Sequence, residues 1–214
     1  MRPPDAELAN RLSELTRALG EPPLAAPEAS ALVAFAALVA SWNHRVDLTG
    51  AKTAKDLVEV LLADALVMRD RALVPAGASV LDVGTGVGAP IIPFLLLRPD
   101  VSALCVEPRR KRVAFLRTAI GQLSLVDRMV VREGRIEPDA PELTQGTAPA
   151  IACSRATFAP ATWLEIGLKL APGTLLFAAK EGLPAAPQGA AVVAERKYTL
   201  PWSKAPRILA LYTR

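Results

Sequence analysis

Apolar residues recur at helical spacing through Asp5–Leu19 (Leu8, Leu12, Leu15, Leu19), and the pattern stops at Gly20. A second helical stretch covers Pro27–His44 and a third Asp56–Leu73. From Ser79 onward short apolar runs alternate with amphipathic ones. The pattern predicts strand Ser79–Val83, helix Pro90–Leu97, strand Val101–Glu107, helix Arg109–Leu123 and strand Met129–Arg132. After a turn-rich stretch, Pro138–Pro149, it predicts strand Ala150–Ser154, helix Pro160–Leu170 and strand Thr174–Ala179. Such alternation implies an α/β chain, with parallel strands, right-handed crossovers and helices on both faces of the sheet. The end of the chain differs. Val192–Leu200 and Arg207–Thr213 leave no room for a helix between them, so they are expected to pair antiparallel. The expected organisation is a helical N-terminal extension, residues 1–75, on a sheet-based core, residues 76–214, packed as one unit.

Composition narrows the class without naming a chemistry. Hydrophobic content of 51% against 21% charged residues describes a folded globule, and many of the 19 prolines fall in connecting segments such as Glu21–Pro27 and Pro184–Pro187. A net charge of +4 is a mild basic bias and by itself weak support for a nucleic-acid partner. Cys105 and Cys153 sit in strand-like runs, as small buried hydrophobes of a reducing compartment do. His44 is the only histidine and no metal-ligand spacing occurs, so no metal is expected. Met1–Arg11 is polar and contains acids, unlike a secretory signal. The longest apolar run, Ala29–Trp42, falls short of the roughly 20 residues of a membrane span. A cytoplasmic, monomeric protein without membrane contact is expected.

The richest segment is Ser79–Pro90, in which an apolar run leads into Asp82 and then Gly84, Gly86 and Gly88 at alternate positions. A strand ending in such a turn lets the backbone approach a ligand closely, because glycine has no Cβ and tolerates positive φ. About two dozen residues further on, the next strand ends in Glu107, where a carboxylate can accept from a ribose diol. Gly84, Gly86 and Ala89 nominally satisfy the nicotinamide fingerprint. A dinucleotide, however, wants a free helix N-terminus for its pyrophosphate. Two acids around a D-x-G-x-G-x-G turn (Asp82, Gly84, Thr85, Gly86, Gly88) suit S-adenosylmethionine better, since that ligand bears a cation and no phosphate. With the antiparallel final pair, the whole reads as a Rossmann-like class I S-adenosylmethionine-dependent methyltransferase fold.

Other residues near the carboxyl edge of the sheet carry candidate chemistry. Arg109, Arg110, Lys111, Arg112 and Arg117 crowd one helix just after Glu107. Cations in a first helical turn oppose the helix dipole, which favours a phosphate-contacting patch for RNA over a merely solvated face. Arg155 follows the fourth strand and suits a phosphate or a carboxylate held bidentately, with a structural ion pair as the alternative. Ile136 and Glu137 lie where an adenine would rest, and a plain surface turn is the alternative. Lys180, at the end of the fifth strand, is a further candidate RNA contact. Trp42 and Asn43, before Asp47-Leu48-Thr49, offer a lip over the pocket or simple packing.

Taken together, these stretches resemble the ribosomal RNA small subunit methyltransferase G family (glucose-inhibited division protein B), from about Trp42 to the C-terminus. The resemblance rests on Trp42-Asn43 with Leu48-Thr49, Asp82-Val83-Gly84-Thr85-Gly86, Ile92-Pro93, Lys111-Arg112-Val113 with Phe115-Leu116, Gly134-Arg135-Ile136-Glu137, Ser154-Arg155-Ala156, and Lys180 with Gly182. It implies methyl transfer from S-adenosylmethionine to N7 of a guanine in 16S ribosomal RNA, acting on the RNA or the ribosomal particle. It also implies cofactor contacts at Gly84, Ala89, Ile136, Glu137 and Arg155. The chain departs from the family where G-P-G-L-P becomes Gly86-Val87-Gly88-Ala89-Pro90. Val60, Leu61 and Ala65 surround Asp64 in place of the usual Arg-His and Ser, and Ser154–Ala159 is one residue longer than S-R-A-F-A. The cofactor side is better kept than the substrate side. A small-molecule methyltransferase, or a ribosome-associated cofactor-binding protein without turnover, therefore stands beside the main reading.

Overall fold

The computed structural model describes residues 3–136, 144, 146, 148–179 and 182–214. Glu137, Lys180 and most of the turn-rich stretch before the fourth strand lie outside the described residues.

The chain opens with α1 (Asp5–Ala18), α2 (Ala26–Trp42) and α3 (Ala54–Met68). Leu8, Leu12 and Leu15 make the buried stripe of α1, as their spacing requires. α3 is buried almost all round. Its start is fixed by a reciprocal cap, with Asp56 N donating to Thr53 Oγ1 at 3.2 Å and Thr53 N donating to Asp56 Oδ2 at 3.1 Å. The helix expected to run to Leu73 ends at Met68 instead. Asp70 accepts from Ala72 N at 2.9 Å and its carbonyl receives Leu73 N and Val74 N, which opens a separate turn.

Then follow β1 (Ser79–Val83), α4 (Ile91–Leu97), β2 (Ser102–Glu107), α5 (Arg110–Gln122), β3 (Met129–Glu133), β4 (Ile151–Ser154), α6 (Pro160–Leu170), β5 (Gly173–Ala178), β6 (Ala191–Thr199) and β7 (Pro206–Thr213). Seven strands form one sheet in the order β3-β2-β1-β4-β5-β7-β6. The first five are parallel; β7 runs antiparallel to both β5 and β6. Strand order reverses between β1 and β4, and in such sheets ligands bind beyond the carboxyl ends of the strands at that point.

One apolar cluster fills the face of the sheet covered by α2, α4 and α5 and continues into α1 and α3, joining Leu8, Phe35 and Leu61 to Val80, Phe94 and Cys153. A second cluster lies under α6, where Trp163 is buried and its Nε1 donates to Leu175 O at 3.1 Å. Among the described residues no helix is long and apolar enough to cross a membrane. No group of three or more His, Cys, Asp or Glu among them is placed to hold a metal ion.

Candidate cofactor and substrate site

The turn after β1 is anchored to the tip of β2. Gly84 N and Thr85 N donate to Val106 O at 2.8 and 3.3 Å. Thr85 Oγ1 donates back to Asp82 O at 3.1 Å, closing the turn on its own strand. The three glycines all have positive φ, +74° at Gly84, +62° at Gly86 and +84° at Gly88, but for different reasons. A Cβ at Gly88 would stand 2.4 Å from Ile92 Cδ1 and 2.9 Å from Leu116, so packing on α4 and α5 requires that glycine. At Gly84 a Cβ would overlap Thr157 Oγ1 at 2.3 Å. At Gly86 the nearest atoms are Arg112 Nη1 at 3.7 Å and Gly84 O at 3.8 Å, leaving the backbone open to a ligand. Ala89 is buried in the main cluster beside this turn.

Glu107 is 2% exposed and spans two backbone segments. Its Oε2 accepts from Gly86 N at 2.8 Å and its Oε1 from Arg109 N at 2.9 Å. Each carboxylate oxygen has a second lone pair, so the group can take hydroxyl donors while holding the turn in place. Asp82 is also 2% exposed and lies in register with Cys105 on one side and Cys153 on the other. Its Oδ1 accepts from Cys153 Sγ at 3.4 Å, while its Oδ2 is buried without a partner. Burial pushes this carboxyl up to about 6. Burial also raises both thiols, Asp82 adding to the effect, and keeps them protonated.

Arg155, at the tip of β4, reaches away from the glycine turn. Its Nη1 donates to Asp64 Oδ2 at 2.8 Å and to Val60 O at 2.9 Å, both on α3. Tyr198 of β6 donates to the other oxygen of Asp64 at 2.6 Å, and burial drives its phenol far above the ordinary range. Arg155 thus takes part in a structural ion pair that ties three parts of the chain through one carboxylate. The turn it begins has two sides. Arg155, Ala156 and Phe158 line a cavity of about 820 Å³ at the ends of β4 and β5, with Phe177, Leu183 and Arg207 on other walls. Thr157, between them, packs instead on Gly84.

Arg109, Arg110, Lys111 and Arg117 are exposed on and beside α5, and none forms an ion pair among the described residues. Arg112 differs: it is half-buried, with its guanidinium beside Gly86. Ile136 is buried in the cluster that holds Leu104 and Val106, at the β2–β3 end of the turn. Glu137 and Lys180 lie outside the described residues. Of the two readings of Trp42 and Asn43, a lip or simple packing, the structure shows a packed corner. The Trp42 ring meets Phe115 edge-on with centroids 5.6 Å apart. Asn43 Oδ1 accepts from Leu48 N and Thr49 N, and its Nδ2 donates to Thr49 O, all at 2.9 Å.

Two participants escaped sequence reasoning. Asp64 did leave a signal, a lone acid deep in the apolar stretch Val60–Met68. Thr157 left only its place in the stretch that is one residue longer than S-R-A-F-A, because its contact with Gly84, far away in the chain, shows in no local pattern.

Comparison with known proteins agrees with this architecture. The family model GidB, described as rRNA small subunit methyltransferase G, matches residues 28–190. A protein named ribosomal RNA small subunit methyltransferase G from Anaeromyxobacter dehalogenans is 33% identical over 215 residues, covering 96% of this chain and 97% of its own. A protein of the same name from Halorhodospira halophila is 36% identical over 174 residues, covering 81% and 77%. Among solved structures, an O-methyltransferase from Bacillus cereus in complex with SAH superposes with a TM-score of 0.60 at 15% identity, covering 85% of this chain and 91% of that one. The METTL16 MTase domain gives 0.55 at 13% identity, covering 99% and 93%. These structural likenesses establish the class I methyltransferase fold. With its match from residue 28 to residue 190 and relatives of this identity along nearly its whole length, the chain belongs to the rRNA small subunit methyltransferase G family.

Proposed function

We propose that this methyltransferase transfers the methyl group of S-adenosylmethionine to N7 of a guanine in 16S ribosomal RNA. The observation that carries the cofactor reading is the junction of Glu107 with Gly86, where a buried carboxylate holds a backbone turn that meets only Arg112 Nη1 and Gly84 O, at 3.7 and 3.8 Å, over its Cβ position. Its remaining lone pairs would accept from the ribose diol, and Ile136 would give the base an apolar surface. The orphaned Oδ2 of Asp82 is the second feature that fits, since a buried acceptor without a donor suits an ammonium or a water ordered by one. Arg112, beside Gly86, adds a cation at the same turn, whereas Arg155 is held by Asp64 on α3.

When bound, S-adenosylmethionine supplies a methyl group on a sulfonium centre. The N7 lone pair of guanine is nucleophilic without losing a proton, so the chain need supply no general base. Its work is alignment and the exclusion of water. The exposed cations of α5 stand beside the turn to hold the RNA backbone by its phosphates. A-form RNA hides N7 in a deep, narrow groove, so the target guanine must be unpaired or extruded. The family's small-subunit RNA specificity and the basic α5 face support the same substrate.

The test is methyl-labelled S-adenosylmethionine offered with 16S RNA, with small ribosomal subunits from a deletion strain, and with a small-metabolite extract. Label at one guanine N7 in the RNA, mapped by mass spectrometry, is the expected result. Label only in the metabolite fraction, or at another atom of the RNA, contradicts the proposal.

A further inference from the structure

We propose that Thr157 is a positioning residue for the amino-acid end of the cofactor, contributed by the turn after β4. This rests on the cofactor reading given above. Glu107 at the tip of β2 and Ile136 beyond β3 assign the nucleoside end to one side of the glycine turn. The rest of an extended ligand then runs the other way, over the ends of β1 and β4 where the strand order reverses.

Thr157 stands at that place. Its Oγ1 and Cγ2 lie where a Cβ on Gly84 would be, at 2.3 and 2.9 Å, so only a glycine lets this side chain rest on the turn. Its other side is exposed. The hydroxyl is nearly unengaged, meeting Arg155 O only at 3.5 Å, the outer limit of a hydrogen bond. A hydroxyl donates once and accepts twice, and so can serve a carboxylate and an ammonium alike.

The turn that presents it is held on both flanks. Ser154 Oγ donates to Val83 O at 2.7 Å, tying β4 to β1 just before the turn. Arg155 is fixed to α3, and Phe158 stacks on Trp163 with centroids 5.6 Å apart and planes 16° from parallel. Between these anchors Ala156 is held at φ +58°, a conformation that is unfavourable for a non-glycine residue and persists only where the surroundings impose it. That left-handed residue aims Thr157 at Gly84.

Calorimetric titration of S-adenosylhomocysteine and of 5′-methylthioadenosine, which has the same nucleoside but no amino-acid carbons, tests the proposal. Thr157→Val keeps the shape and removes the hydroxyl. It is expected to weaken S-adenosylhomocysteine about 10-fold while methylthioadenosine changes less than about twofold, with Thr157→Ser restoring the loss. Unchanged S-adenosylhomocysteine binding in Thr157→Val overturns the role of Thr157. Equal weakening of both ligands also overturns it, because the turn itself would then have deformed. If the wild-type protein binds neither ligand, the cofactor reading fails and this inference falls with it.

Discussion

The two ends of the parallel sheet treat buried charge in opposite ways. At the amino edge Arg98 is 5% exposed and fully engaged. Its Nε and Nη2 donate to the two oxygens of Asp100 at 2.8 Å each, and Nη1 and Nη2 also reach the carbonyls of Val74, Pro75 and Arg69. The paired guanidinium holds Asp100 far below the ordinary carboxylate range. Nearby, Arg128 Nη1 donates to the carbonyls of Leu95, Arg98 and Val101. At the carboxyl edge Asp82 keeps an oxygen with no donor, three glycines and Ala156 sit at positive φ, and the cations of α5 lack acidic partners among the described residues. One end closes the chain on itself. The other leaves donors, acceptors and strain for something else to use, as expected of a binding edge.

The largest effect expected of this contrast is at the closed end. Arg98→Ala leaves the carbonyls of Arg69, Val74 and Pro75 without their donor, while Asp100 is exposed and stays solvated, and denaturant unfolding should show a loss of about 3–4 kcal/mol. Cofactor affinity of the folded fraction should stay within about twofold of wild type, so a selective loss of affinity would break the comparison. At the open end Gly84→Ala adds a methyl group where Thr157 already stands, at φ +74°. Unfolding should show about 2–3 kcal/mol of destabilisation. The double variant Gly84→Ala/Thr157→Gly should recover part of it by removing the overlap and leaving the backbone strain.

Asp82 sharpens the comparison through pH. Its folded value, about 6, lies above the ordinary 3.8, so the folded state holds the proton more tightly than the unfolded chain does. Asp82 therefore costs nothing at low pH, and its cost grows as pH rises from about 4 to about 6 and stays constant above. Asp82→Asn is expected to be more stable than wild type at pH 8 by about 3 kcal/mol, with the difference vanishing below pH 4. Its affinity for S-adenosylmethionine should nevertheless be lower. In the wild type that affinity should decline as pH falls below about 6, where the carboxyl protonates. The smallest effect on stability is on α5. Arg110→Glu with Lys111→Glu replaces first-turn cations by acids and should raise the unfolding free energy by about 1 kcal/mol at most, while RNA binding weakens and its salt dependence becomes shallower.

The layer order and the antiparallel final pair were legible because strand and helix periodicities differ and because Val192–Thr213 leaves no space for a crossover. Glu107 was legible as an acid at a strand tip. The limits of α3 were not, since Asp70 ends it through a local hydrogen bond that competes with a helical pattern. Nor does glycine spacing separate Gly88, which packing on Ile92 and Leu116 requires, from Gly86, where a Cβ would meet only ordinary contacts with Arg112 and Gly84. Arg155 pairs with a carboxylate 91 residues away, a contact invisible to any local pattern.

Hydrogen exchange of the wild-type protein with and without S-adenosylhomocysteine measures the two ends of the sheet in one experiment. The ligand should slow exchange at Gly84–Gly88 and around Glu107 and Arg109, and leave Arg98–Val101 and Arg128 unchanged. Protection at the Arg98 end, or none near the glycine turn, would contradict the assignment of the carboxyl edge as the cofactor site.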